Sequence, residues 1–318
     1  MTKNKENSEK ADDPMNRRTL RANILLILAA LFWGSTFVAQ SIGSDYLDPF
    51  SFQGIRCLAG ALLLLPVIAV FDKIGQKGTW RDKNLWIGGC VCGLVLFAST
   101  NLQQFGLSLG TTAGKSGFIT ALYIVMVPIF GLFLKKRPSL WVWPSVALAV
   151  WGLYLLCMDE SFRLTLGDAM TLLCALCFSV HIMVVDRFSP NVDPIRLSCV
   201  QFLVCGSLSL IAMVFAGIPT WKAVTDCWLP LGYAAVFSCA AAYTFQIVAQ
   251  RDTNPTVASL LMSLESVFAC LSGWLVLQER LSGKEAFGCI IMFCAVILAQ
   301  LPDRKEKNSS KAHISISE

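Results

Sequence analysis

Ten stretches of roughly twenty apolar residues, each near the length a helix needs to cross about 30 Å of hydrocarbon, dictate what this chain can become. They lie near 23–42, 50–71, 85–107, 112–134, 140–158, 167–186, 195–217, 229–250, 255–277 and 283–301, with short connections between them. Only 15% of residues are charged and 55% are hydrophobic, against about 25% and about 45–50% in soluble domains. The expectation is an all-α integral membrane protein of ten transmembrane helices, with no room between them for a soluble domain.

The opening "MNRRTLRANILLILAALFWGS" has the basic start of a secretory signal, but its apolar run is too long for a signal core and nine more runs follow it. It reads as an uncleaved first span. Residues 1–22 and 302–318 are polar and charged and are expected to be disordered tails. With the N-terminus inside, 19 Lys and Arg fall in cytoplasmic segments, including 72–84, "KKR" at 135–137, Arg187 and Arg251. The other side holds four: Arg163, Lys222, Arg280 and Lys284. Both termini are therefore expected in the cytoplasm, on a multi-pass protein of the cell (inner or plasma) membrane. The net charge of +5 reports topology, not affinity for nucleic acid. The 13 cysteines are odd in number and nearly all lie inside apolar runs, so they read as packing residues, Cys227 alone lying near the outer surface.

The second half of the chain repeats the first. A shift of 145 lays "DPFSFQGIRCL" (48–58) over "DPIRLSCVQFL" (193–203), matching Asp48 to Asp193 and Pro49 to Pro194 and placing Arg56 over Gln201. A shift of 142 then matches Trp86 to Trp228, Gln104 to Gln246, Leu122 to Leu264 and Gly131 to Gly273, and places Tyr123 over Glu265. Each half holds five runs. An odd number makes the second half start on the opposite side from the first, so the repeats are inverted, an arrangement that many secondary transporters build around a site at mid-bilayer.

"LFWGSTF" in the first run, "DPFSFQGIR" at the second, "GFITALYIVMVPIFGLFLKKRPS" in the fourth and "SLESVFACLSGWLVLQERLS" in the ninth resemble the EamA branch of the drug/metabolite transporter superfamily. The resemblance runs from about 23 to 301 and includes the duplication. It implies a ten-helix permease that moves small organic solutes, often outward, with amino acids or related metabolites as cargo. The chain then divides into a tail at 1–22, a first EamA-like five-helix repeat at 23–158, an outer connecting loop at 159–166, a second repeat at 167–301 and a tail at 302–318. Two positions depart from the family pattern. Ser266 stands where the ninth helix usually has proline, which removes the source of an expected kink, and Arg137 stands where an acid is common.

Glu265 is the residue that most demands a role. It lies ten residues after Pro255, about 15 Å along a helix and close to the bilayer midplane, where a charge costs roughly 2.5–3.5 kcal/mol on insertion scales. It reads either as a group that recognises a substrate amine or carries a proton, or as a buried structural acid. Inversion brings its mate Tyr123 to the other side of the same central site. Arg56, about 10 Å into the second helix, either binds a substrate carboxylate or pairs with Glu265 or a loop acid. The resemblance matches it to a family arginine. Its mate Gln201 is a candidate lining group.

Thr112, Lys115, Ser116, Thr120 and Tyr123 share one broad helical face and form a polar stripe, read as cavity wall, although Lys115 can also snorkel to the interface. Asn101, Gln103 and Gln104 cluster at one end of the third run and Tyr243, Thr244 and Gln246 at the opposite end of the eighth, as gate groups or as hydrogen bonds between helices. Trp33 is packing or cavity wall. The expected substrate or proton path is therefore Glu265, Tyr123, Arg56, Gln201, Lys115, Thr120, Trp33, Asn101, Gln104 and Gln246.

Met170, Cys174, Cys177 and His181 share one side of the sixth helix and suit soft metals, but they spread over about 16 Å and need a second helix to close a site. No metal ligand set, cofactor or catalytic signature is read from the chain: it lacks a phosphate-cradling loop, a zinc-hydrolase motif and a nucleophile elbow. The expected partners are a small-molecule substrate, protons as a candidate co-substrate and the lipid bilayer, with no nucleic acid and with a homodimer left open. The alternatives to a transporter are a membrane scaffold or receptor, an intramembrane enzyme, or a soft-metal permease.

Overall fold

The computed structural model describes residues 14–74, 78–135, 138–157, 165–276, 282–299 and 301. The described residues form helices joined by short turns: α1 (Pro14–Ser44), α2 (Pro49–Lys73), α3 (Lys83–Ser108), α4 (Ala113–Ala121), α5 (Tyr123–Phe133), α6 (Val142–Cys157) and α7 (Leu166–Phe188). There follow α8 (Pro194–Ala216), the short α9 (Trp221–Asp226) and α10 (Trp228–Tyr233), a π-helical segment (Ala234–Tyr243), α11 (Thr244–Gln250), α12 (Pro255–Met262), α13 (Glu265–Val276) and α14 (Gly283–Ala299). Among the described residues eight helical stretches are long and apolar enough to cross a membrane, and two further apolar helices, Val142–Leu155 and Ala286–Ala299, are shorter.

The first helix starts earlier than the apolar pattern indicates. Residues 14–22, expected in a disordered tail, are helical, because Pro14 suits a first helical turn and Met, Arg, Leu and Ala all favour helix, so the helix outruns its apolar part. Residues 1–13, 158–164 and 302–318, with Lys136, Arg137, Arg163 and Arg280, lie outside the described residues.

Polarity is turned inside out. Phe215 is 86% exposed and Phe133 81%, whereas Gln40, Gln53, Arg56, Gln104, Gln201 and Glu265 are all buried. Such an exterior is stable only against hydrocarbon, and the polar interior must then satisfy itself or serve a solute.

The two halves use the same local devices. Asp48 and Asp193 each cap a helix that begins with proline, at α2 and α8: Asp48 accepts from the Phe50 and Ser51 amides and Asp193 from the Arg196 amide. The helix pairs are related in the same way. The α2·α8 and α6·α14 pairs map onto themselves when the halves are exchanged; α3·α7 maps onto the contact of the π segment and α11 with α1, and α4/α5·α7 maps onto α12/α13·α1. Gly34 lets α1 come close to α13, since a β-carbon there would lie 2.5 Å from the Glu265 carbonyl oxygen.

Two spans are interrupted, and at matching places. The fourth apolar run breaks at Leu122, between α4 and α5; the ninth breaks at Ser263 and Leu264, between α12 and α13. At both, amides reach back three residues instead of four: Leu122 to Ile119 and Val125 to Leu122, then Leu264 to Leu261 and Ser266 to Ser263. The missing proline at Ser266 therefore does not leave the ninth helix continuous. Ser263 Oγ donates to the Leu260 carbonyl at 2.7 Å, the acceptor that the Leu264 amide would use in an unbroken α-helix, and hydroxyl bonding of this kind bends helices. Tyr123 and Glu265 each open the segment beyond a break.

Candidate functional site

Between the two breaks, side chains from both halves of the chain line a cavity. Its apolar wall is Trp33, Phe37, Phe178, Ile182 and Met262, and its polar wall includes Thr36, Gln40, Arg56, Gln103, Thr120, Tyr123, Ser238, Tyr243, Gln246 and Glu265. Trp33 meets the edge of Tyr243 with ring centroids 4.8 Å apart, fixing one side of the chamber.

One wall is a hydrogen-bonded relay that ends in a cation. Arg56, 2% exposed, donates from Nε to Gln53 Oε1 at 2.6 Å and from a terminal nitrogen to Gln40 Oε1 at 2.7 Å. Gln40 Nε2 donates to Gln103 Oε1 at 3.2 Å, and Gln103 Nε2 to Thr120 Oγ1 at 3.2 Å. Behind them Gln104 donates to the Gln40 carbonyl and Gln53 to the Thr100 carbonyl. Each glutamine is thereby turned to present its oxygen toward the next donor. The guanidinium also lies 5.8 Å from the centre of the Phe52 ring. Among the described residues Arg56 makes no ion pair, so neither Glu265 nor a loop acid is its partner.

The opposite wall holds the acid. Glu265 is 5% exposed, and its Oε1 makes no hydrogen bond among the described residues. Tyr123 Oη is near enough to feel the carboxyl group, yet it too lacks a hydrogen bond of good geometry. Trp33 Nε1 and Gln246 Oε1 are likewise buried and unbonded among the described residues. A buried polar group left without a bond costs about 1–3 kcal/mol, more if charged, and the cavity wall carries four. The chamber therefore presents a cation with glutamine neighbours on one wall, a carboxyl group on the other, and donors and acceptors between them.

Of the ten residues expected on the path, six line this cavity: Glu265, Tyr123, Arg56, Thr120, Trp33 and Gln246. Four do not. Lys115 is drawn away from the polar stripe to Asp168, 2.6 Å off at the start of α7, and it ties α4 to that helix. Asp168 is only 1% exposed, and it also serves the Thr165 amide and the Thr111 hydroxyl, so a buried carboxylate sets the direction of this lysine. Gln201 stands one layer back, its Oε1 3.0 Å from His181 Nε2. Asn101 bridges to Ser209 on α8 at 3.1 Å, and Gln104 backs the relay. His181 thus faces a glutamine, while Cys174 of the same helix face is buried and Cys177 half-buried.

Sequence reasoning missed Gln40, Thr36 and Ser238. The signal for Gln40 was a lone glutamine in "WGSTFVAQ", which at the end of a run looks like an ordinary interfacial residue. Gln103 and Gln104 share one end of the third run, and only the structure turns one toward the cavity and the other behind it.

The sequence profile of the EamA-like transporter family matches the chain over residues 20–158 and again over 165–301. A protein of Archaeoglobus fulgidus named an uncharacterized transporter is 32% identical over 290 residues, spanning 89% of this chain and 87% of its own length. The threonine/homoserine exporter RhtA of Salmonella typhimurium is 30% identical over 286 residues, covering 87% of this chain and 90% of its own. RhtA of Escherichia coli is 26% identical over 300 residues, covering 92% and 95%. A solved crystal structure superposes with a TM-score of 0.72 at 18% identity, over 89% of this chain and 98% of that one, which shows a shared fold.

Proposed function

The chain belongs to the EamA-like transporter family, and from that membership and the charges in the cavity we propose that it is a secondary transporter of small zwitterionic metabolites, amino acids foremost. The observation that carries this reading is a buried guanidinium and a buried carboxyl group on one chamber, Arg56 and Glu265, which make no ion pair among the described residues. An amino acid supplies the missing partner for each. Its carboxylate takes the guanidinium, which is already aimed by Gln53 and Gln40, and its ammonium takes Glu265, with Tyr123 and Gln246 as further contacts. RhtA, the relative named for threonine and homoserine, fits cargo of this class and points to export.

The path would open by alternating access between two inverted five-helix repeats, ten spans in all, with both termini cytoplasmic. Support comes from the exchange-related helix pairs and from breaks at Leu122 and Ser263–Leu264, each immediately before a cavity residue. Cargo bound at Tyr123 and Glu265 then sits on the joints of both halves.

The test compares small molecules in the medium of cells producing the protein with those producing Glu265→Gln at equal membrane abundance. The expected result is one or more amino acids enriched outside only with the unmodified chain. Equal amino-acid levels in both media, with the same amino acids supplied inside, would sink the reading. Collapse of the pH gradient during the same assay asks whether Glu265 also carries a proton: flux that continues unchanged excludes that role.

A further inference from the structure

A second recess, separate from the cavity, opens on the apolar exterior between α1, α2, α8 and the π segment with α11. Leu63, Val67 and Phe71 of α2 form one wall and Val236, Ala241 and Val248 the other. The α2 wall runs eight residues, about 12 Å, and the hydrocarbon of one leaflet is about 15 Å deep. The recess therefore has the depth of a single acyl layer. Chains of detergent or lipid fill any such surface, but here one end is chemically marked.

That end carries Arg21 and Arg251, with Asp193 and Asp252 beside them. Both arginines are exposed, and neither makes an ion pair among the described residues. Asp193 is already committed, capping α8 and lying 3.4 Å from Arg196. Two guanidinium groups are thus left at the rim of an apolar slot, at the helix ends that the lysine and arginine distribution places in the cytoplasm. A phosphate ester attached to acyl chains is the ligand that matches both parts.

We propose that this recess binds one glycerophospholipid of the inner leaflet, its phosphate between Arg21 and Arg251 and an acyl chain along the α2 and α11 walls. Because Asp252 stands at the same rim, the site selects for the phosphate and not for a net negative headgroup. The lipid would also bear on the transport chamber, since the π segment walls the recess with Val236 and Ala240 and the cavity with Ser238 and Tyr243.

Native mass spectrometry of the full chain in a mild detergent, titrated with dioleoyl phosphatidylethanolamine, dioleoyl phosphatidylglycerol or dioleoylglycerol, tests this. Expected is saturable binding of one molecule of either phospholipid per chain, with dioleoylglycerol weaker by about 30-fold. The double variant R21Q/R251Q loses that discrimination, and Ala241→Phe, which fills the slot and leaves both arginines, loses binding of all three. Equal binding of dioleoylglycerol by the unmodified chain, a marked preference for phosphatidylglycerol, absence of saturation, or undiminished phospholipid binding by either variant would each overturn the proposal. If R21Q/R251Q does not yield folded protein, Ala241→Phe decides.

Discussion

Arg56 and Arg196 lie on the second long helix of their respective halves and are both 2% exposed, yet the protein treats them in opposite ways. The charge of Arg196 is answered by two carboxylates, although its Nε has no partner among the described residues. One terminal nitrogen sits 2.7 Å from each oxygen of Asp72, the other is 3.4 Å from Asp193, and the guanidinium lies 5.3 Å from the centre of Trp80. Arg56 has two glutamine oxygens and, among the described residues, no carboxylate. Removing a guanidinium from water is costly in either place, and only at Arg196 does the chain itself supply the counter-charge. On the proposed function it is thus the missing partner, more than the buried charge, that marks the place for a solute.

The comparison breaks most severely if Arg56 is removed. Arg56→Gln is expected to cut amino-acid export by about 30-fold or more at equal membrane abundance, the scale of losing one side of a desolvated charge pair, and Arg56→Lys to recover little, since an ammonium cannot grip two glutamines and a carboxylate together. Next in size is the reverse operation, giving Arg56 what Arg196 already has. Gln40→Glu places a carboxylate where a neutral oxygen now lies 2.7 Å away, so export should fall by about tenfold while thermal stability in detergent holds or rises. Unpairing Arg196 should do the opposite. Asp72 is 36% exposed and Asp193 remains, so Asp72→Asn costs about 1–2 kcal/mol, seen as a lower melting temperature, with export per folded molecule little changed. The smallest effect is at the joint. Ser263→Ala frees the Leu260 carbonyl and is expected to slow amide hydrogen exchange at Leu264, with stability shifted by about 0.5–1 kcal/mol.

Apolar run length was enough to place the helices, because lipid permits little else, and the Asp-Pro pairs marked where α2 and α8 begin. It fails at the first helix, whose polar turns at 14–22 carry no apolar signal, and at the ninth, where no proline marks the bend and Ser263 accompanies it. The acid at Glu265 and its mate Tyr123 could be found from spacing and duplication alone. Lys115 could not be placed, because its direction is set by Asp168, 53 residues away in the chain and on another helix. Gln201 shows a similar limit: its mate Arg56 reaches the cavity, but His181 holds the glutamine one layer back. Repeat symmetry therefore predicts which backbone positions correspond, while the partner each side chain finds is decided by packing that the repeat does not share.

The serine at the bend of the ninth span holds its angle by a reversible bond. A proline would weld the angle into the backbone, since its ring can never return the missing N–H. Ser263 instead occupies the Leu260 carbonyl through a hydroxyl bond that one side-chain rotation releases. In an unbroken helix the Leu264 amide would take that carbonyl, so the bend exchanges one hydrogen bond for another, worth about 1 kcal/mol. In the proposed alternating-access cycle this joint is held by one hydroxyl bond, and the cost of moving it is left to the helices packed around it.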